Sequence, residues 1–417
     1  MLRRLKYHIL VFFSVIGPGF ITAVVDNDAG GIFTYSQAGA KYGYLPLWTL
    51  LPITLLLIVT QEMCSRMGAV TGKGLSDMIR EEFGLRTTFV MMVLLVVANL
   101  TNVMANFAGI ASSLGLFEVS KYLSVPAIAI GVWFLILKAD YQKIEKIFLF
   151  ACSLYICYLV SGFLVKPDWK EAAINSVKPV LLLDSGYLTM LIGMVGTSVA
   201  PWMQFYLQAA VVEKGITAKD YAESRIEVIV GCIVMSVIAF FIIVACAGAI
   251  YENGPRDIKD AADAAQALRP FGPYAFLLFC AGLFNASVFA ACILPLSTAY
   301  SVCEGLGFES GVNRRFGEAP VFYWLITLLI AIGAGVVLLP NFPLVQMILL
   351  SQVVNGMLLP LVLIFMTLLV NKKYLMKEWT NSRVYNFVAW TAVAVMIGLT
   401  VALVVISVQD LLKNRGA

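Results

Sequence analysis

The stretch Val25-Asp26-Asn27-Asp28-Ala29-Gly30-Gly31 interrupts an apolar run that begins near Leu10 and continues to about Ala40. It sets two carboxylates, an amide and two glycines where a membrane helix would place leucine. A charged side chain near the bilayer centre costs about 3 kcal/mol or more, and glycine weakens the helix further. Such a break survives where its side chains hold something, so Asp28 is read as a binding group. Asp26, two residues away, points elsewhere on a helix, where it caps the first half-helix or faces a water-filled vestibule.

The surrounding chain sets the solvent. Of its 417 residues, 60% are hydrophobic and 13% charged, against roughly 25% charged in soluble domains. Apolar runs of about 20 residues recur along the whole length, without the short alternating segments of a β-barrel. This pattern predicts an all-α polytopic membrane protein with eleven transmembrane helices. The spans fall near 9–40, 45–67, 88–113, 122–138, 144–165, 187–212, 225–251, 273–303, 320–339, 344–371 and 385–409, within one transmembrane domain over 1–417.

About two thirds of the 29 Lys and Arg fall on one side when the amino terminus is cytoplasmic, the orientation expected from the positive-inside bias. The first apolar run runs on through the carboxylates without a small-residue cleavage site, so it is read as a retained span in the cell membrane. Eight cysteines are scattered without CxxC pairs and read as packing residues. The net charge of +4 reflects cytoplasmic loops and implies no nucleic-acid partner. No HExxH, GxSxG or Cys/His pairing supports an enzyme.

A second break matches the first. Gly193 to Leu207 reads GMVGTSVAPWMQFYL, with Gly193, Gly196 and Pro201 crowded into one apolar stretch. Pro201 has no N–H to give and clashes with the carbonyl of Thr197, which frees an oxygen at the break. Discontinuous helices in corresponding positions of two halves mark a transporter's midplane site. Spans 1–5 (about 9–165) and 6–10 (about 187–371) then form two repeats of opposite orientation, with span 385–409 added.

These residues carry a resemblance. GPGFITAVVDNDAGGIFTYSQAGAKYGY, Gly17 to Tyr44, resembles the first span of the NRAMP divalent-metal transporters, in which GPG leads to an Asp-Pro-Gly-Asn break and then QAGA. The likeness continues at Gln61, Arg66 and Gly68, through Thr71 to Leu75, at Lys143 to Glu145, at the second break and at Ser351 to Val354. It implies the LeuT-like inverted-repeat fold of the amino-acid/polyamine/organocation superfamily and alternating access for a divalent cation. It also implies a metal site at Asp28, Gly31, Thr197 and Ala200, with Asp26, Gln352 and Trp202 along the pathway. Asn285, in the polar stretch FNAS of span 8, is read as lining the pathway or as making an interhelical hydrogen bond.

The departures are specific. The family's Asn ligand is replaced by Gly31, and the methionine before its Pro-His is replaced by Ala200, followed by Pro201 and Trp202. A thioether favours softer transition metals, whereas carboxylate, carbonyl and water suit Mg²⁺, Ca²⁺ and Mn²⁺. Mg²⁺ dehydrates reluctantly and is usually held by one or two carboxylates through a retained water shell. A roomier site with one firm acid therefore suits partly hydrated Mg²⁺, and Mn²⁺ with it, as in the NRAMP-related magnesium transporters that this chain resembles. Thr197, Ala200 and Gln352 are expected to offer oxygens directly or through water.

The resemblance also bears on energy coupling. Proton coupling in the family is associated with span 6 histidines, span 3 acids and, in some members, a span 9 arginine. Here the only histidine is His8, span 3 carries Asn99, Asn102 and Asn106 without an acid, and Val321 to Leu339 holds no arginine. Asparagine does not titrate near neutral pH. Uncoupled transport by a monomer is expected, with no resident cofactor. The alternatives are an amino-acid transporter of the same fold, with Asp28 facing a substrate amine, and a proton-coupled transition-metal importer. Glu62 and Arg66, four residues apart, are read as an ion pair.

Overall fold

The computed structural model describes residues 18–138, 152–312 and 314–415. Expectations that rest on Arg3, Arg4, Lys6, His8, the start of span 1 and Lys143 to Glu145 lie outside the described residues. The first span divides where the sequence predicts, into α1 (Pro18–Val25) and α2 (Ala29–Tyr42). Next come α3 (Leu50–Thr71), α4 (Leu75–Gly115), α5 (Lys121–Lys138), α6 (Ile156–Leu164) and α7 (Trp169–Val177). The sixth span divides into α8 (Ser185–Ser198) and α9 (Pro201–Glu213). After it run α10 (Tyr221–Ala249), α11 (Ala275–Leu306), α12 (Pro320–Val337), α13 (Leu344–Val370) and α14 (Arg383–Arg415).

Among the described residues, 8 helical stretches are long and apolar enough to cross a membrane, and two shorter apolar helices cover Lys121–Leu137 and Ser153–Leu164. With the broken first span, these fall where the eleven spans are expected, the start of span 1 and residues 144–151 of span 5 lying outside the described residues. Two boundaries differ. Helix α4 begins at Leu75, well before the apolar run, and turns at Gly84, whose φ of 79° is open to glycine at little cost. Helix α7 lies between spans 5 and 6, where none was expected; Asp168 caps it by accepting from the Glu171 N–H at 2.9 Å.

Close approach of backbones sets the packing around the two breaks. In lipid, helices associate through van der Waals contact and interhelical hydrogen bonds, which favours small residues at crossings. A Cβ on Gly196 would lie 2.0 Å from the Gln352 carbonyl oxygen, and one on Gly356 would lie 2.4 Å from that of Ile192, so α8 and α13 touch backbone to backbone. Gly109 of α4 instead admits side chains, with the Ala29 methyl 2.6 Å and the Ser287 hydroxyl 2.4 Å from the place of its missing Cβ. Helix α4 has two faces. Leu85, Phe89, Val93 and Val97 point outward at four-residue spacing, while Asn99, Asn102 and Asn106 are buried.

Candidate functional site

Asp28 stands at the amino end of α2 with extended backbone, φ −71° and ψ −164°, and its Oδ1 accepts from the Gly31 N–H at 3.2 Å. Its Oδ2 accepts from the Asn106 amide at 2.7 Å. The same amide donates to the Asn102 carbonyl at 3.0 Å, while Asn106 Oδ1 takes the Ala29 N–H at 3.4 Å. Asn106 thus holds the carboxylate and the first free N–H of α2 together. The network extends into α13. Asn102 and Asn355 exchange two amide hydrogen bonds of 2.9 Å, and Asn355 donates to Gln352 Oε1 at 3.1 Å. Every member of this chain is an amide except Asp28 at its end.

The second break faces the first. Ala200 caps α9 with Pro201 as its first helical residue, and Thr197 sits one residue before the end of α8. A Cβ at Gly31 would lie 2.6 Å from the Asp26 carbonyl oxygen and 3.6 Å from Thr197 Oγ1. Both oxygens therefore lie beside the first turn of α2. Tyr35 of α2 donates to Ser198 Oγ at 2.6 Å, since Ser198 in turn donates to the Met194 carbonyl at 2.7 Å. Tyr155 donates to the Asn27 carbonyl at 2.5 Å and so fixes the turn between the half-helices.

Several polar atoms here have no protein partner. Asp26 Oδ2, both side-chain polar atoms of Asn27 and Thr197 Oγ1 are buried and unpaired. Their residues are 4%, 0% and 2% exposed, whereas Asp28 keeps part of its surface open. Buried polar groups are ordinarily hydrogen-bonded, and clusters of exceptions mark places that take water, an ion or a substrate. The arrangement offers hard oxygen donors: a carboxylate, a second carboxylate with its own backbone carbonyl, a hydroxyl, and the Thr197 carbonyl that Pro201 cannot engage.

The expected site residues are placed as follows. Asp28, Gly31 and Thr197 come together. The position vacated at Gly31 is not empty, because the Asp26 carbonyl occupies its approach. Ala200 is 2% exposed, and its carbonyl already accepts from the Met203 N–H at 3.1 Å. Gln352 turns its amide nitrogen to Gly30, where a Cβ would lie 1.9 Å away, while its oxygen is held by Asn355. Trp202 is buried beside Tyr206 and accepts from Ser297 Oγ through its carbonyl at 3.4 Å. Asn285 is half-buried on α11.

Glu62 and Arg66 form the expected ion pair at 3.1 Å, and Arg66 also binds the carbonyls of Trp379 and Thr380 at 2.9 and 3.2 Å. Sequence reasoning missed the contact of Asn106 with Asp28 and the Asp26 carbonyl. The 3- and 4-residue spacing of Asn99, Asn102 and Asn106 signals a polar stripe facing the bundle interior, without naming its partner.

Two broken spans beside a part-open carboxylate, within a bundle of long apolar helices, define a membrane transporter of the LeuT-like inverted-repeat class. The chain belongs to the Nramp family, natural resistance-associated macrophage protein-like, whose defining pattern matches residues 19–406. A divalent metal cation transporter MntH of Granulibacter bethesdensis is 25% identical over 402 residues, spanning 93% of this chain and 87% of its own. The Eremococcus coleocola manganese transporter, solved with an aromatic bis-isothiourea compound, superposes with a TM-score of 0.73 at 21% identity over 95% of this chain and 86% of that one. MhsT in complex with L-phenylalanine shares the fold at a TM-score of 0.61 and 13% identity, over 94% and 97% of the two chains.

Proposed function

We propose that this protein moves divalent metal cations across the cell membrane by alternating access, carrying Mg²⁺, and Mn²⁺ with it, as a partly hydrated ion. The observation that carries this reading is the donor set at the breaks. Asp28 is fixed at both oxygens by neutral N–H groups, and the unpaired atoms around it are oxygens and amides. Asp28 supplies the charge. The Asp26 carbonyl and the Thr197 hydroxyl and carbonyl offer oxygens to the ion or to its waters, and Ala200 contributes a methyl in place of a soft donor. An ion that keeps part of its water shell needs no complete cage of protein ligands.

The amide chain from Asn106 through Asn102 to Asn355 supports transport without a proton relay, because none of these groups changes protonation at working pH. A divalent ion crossing 100 mV gains roughly 4.6 kcal/mol, which drives uptake into a negative interior. The names of the matched relatives, manganese and divalent metal transporters, favour Mn²⁺ import as the second reading. Uptake into proteoliposomes tests both. Mg²⁺ influx that is competed by Mn²⁺ and abolished in Asp28→Ala is the expected result. Ready Cd²⁺ or Fe²⁺ influx with neither Mg²⁺ entry nor Mg²⁺ competition would refute the magnesium reading, and full activity in Asp28→Ala would remove the primary ligand.

A further inference from the structure

A cavity of about 400 Å³ lies between the carboxyl end of α2, the amino end of α8 and the first turns of α13. Its lining includes Thr34, Gln37, Lys41, Thr189, Asp257 and Val353. Thr34 lies one turn beyond Gly31 and Gly193, also in the lining, one turn before Thr197, so the cavity leads toward the breaks from one side of the bundle. Asp257, on the segment joining α10 to α11, completes the lining beside Lys41. The Lys41 ammonium pairs with Asp257 Oδ1 at 2.7 Å, and the Gln37 amide donates to the same oxygen at 2.6 Å. The Ile258 N–H donates back to Gln37 Oε1 at 2.7 Å. Both side-chain donors meet Oδ1, and among the described residues no protein donor meets Oδ2. At the inner wall Thr34 Oγ1 is buried without a partner, its residue 1% exposed.

We propose that this vestibule is a second cation site, in which Asp257 exchanges the Lys41 ammonium for the water shell of a hydrated divalent ion. The ion is thereby screened by charge before it reaches Asp28. The inference rests on the reading that a divalent cation passes Asp28. Size agrees: six waters at about 30 Å³ each occupy about 180 Å³, which leaves room for the ion and for side-chain movement. Charge supplies the discrimination. A monovalent ion offers Asp257 only the unit charge that Lys41 already provides. A divalent ion doubles both the attraction to Asp257 and the repulsion of the ammonium, so it holds the carboxylate more strongly while Lys41 swings out to bulk water on its flexible stem. The Thr189 hydroxyl and the Gln37 amide offer oxygens that accept hydrogen bonds from coordinated water.

Both partners are surface-accessible, with side chains 37% and 60% exposed, so neither variant below disturbs buried packing. In proteoliposomes, Asp257→Asn is expected to raise the half-saturating Mg²⁺ concentration about three- to tenfold. Lys41→Gln is expected to lower it and to make uptake sensitive to K⁺ or Na⁺ at about 0.15 M, an ionic strength at which exposed charges are already screened beyond about 8 Å. Wild-type half-saturation and unchanged tolerance of monovalent ions in both variants would overturn the proposal. A structural readout separates it from the reading of Asp28. Crystals of Asp28→Asn soaked in Mn²⁺ should keep an anomalous peak one water away from Asp257, about 4 to 5 Å from its carboxylate. That peak should vanish in Asp28→Asn combined with Asp257→Asn. An empty vestibule in Asp28→Asn, with divalent uptake intact in the wild type, would sink the second site alone; absence of any divalent uptake by the wild type would remove both.

Discussion

Asp28 owes its setting to Asn106 as much as to its own place at a helix start. The 2.7 Å bond from the Asn106 amide orients one carboxylate oxygen, and the Gly31 N–H orients the other. A hydrogen bond to a charged group is worth about 1.5–3 kcal/mol, so Asn106→Ala should raise the half-saturating Mg²⁺ concentration at least about tenfold. Uptake kinetics in proteoliposomes check this, and unchanged kinetics would show that Asp28 needs no such support. Asp28 itself was legible in the sequence because a carboxylate in an apolar run has few structural explanations. The contact of Asn106 was not, because asparagine in a membrane helix finds partners on several sides and only the tertiary fold selects one. The Asp26 carbonyl was hidden for a related reason: backbone oxygens carry no sequence signal, and only the missing Cβ of Gly31 betrays how near it lies.

Among the elements, the crossing of α8 on α13 fixes the distance between the second break and Gln352. Gly196→Ala puts a methyl 2.0 Å from the Gln352 carbonyl oxygen and 2.4 Å from the Gly356 nitrogen, both of them backbone. The two helices must separate, at a cost of about 1–3 kcal/mol by comparison with overpacked cores. A lower thermal unfolding midpoint in detergent, together with reduced transport, is the expected outcome; an unchanged midpoint would mean that the crossing is loose. Both broken spans were legible because glycine and proline interrupt the apolar pattern at Asp28–Gly31 and at Thr197–Pro201. The early start of α4 and the presence of α7 were not read. Both lie outside the long apolar runs, although Asp168 followed by Glu171 is a helix-start signature that hydropathy overlooks.

For the whole molecule, the proposed transport is a passive exchange governed by ion gradient and voltage. Mg²⁺ influx should grow with an inside-negative potential and leave the liposome interior at constant pH, as read by a trapped pH dye. Interior acidification in step with influx would show proton coupling, and the amide chain behind Asp28 would then need a titratable bypass. The central claim is narrower: one carboxylate between two broken helices holds an ion that keeps part of its water. Anomalous scattering from Mn²⁺ in crystals of the wild-type protein tests it most directly. A peak is expected beside Asp28, within about 2.2 Å of its oxygen or one water further away, with waters completing the coordination. No peak beside Asp28, or a bare ion enclosed there by protein ligands on all sides, would contradict it.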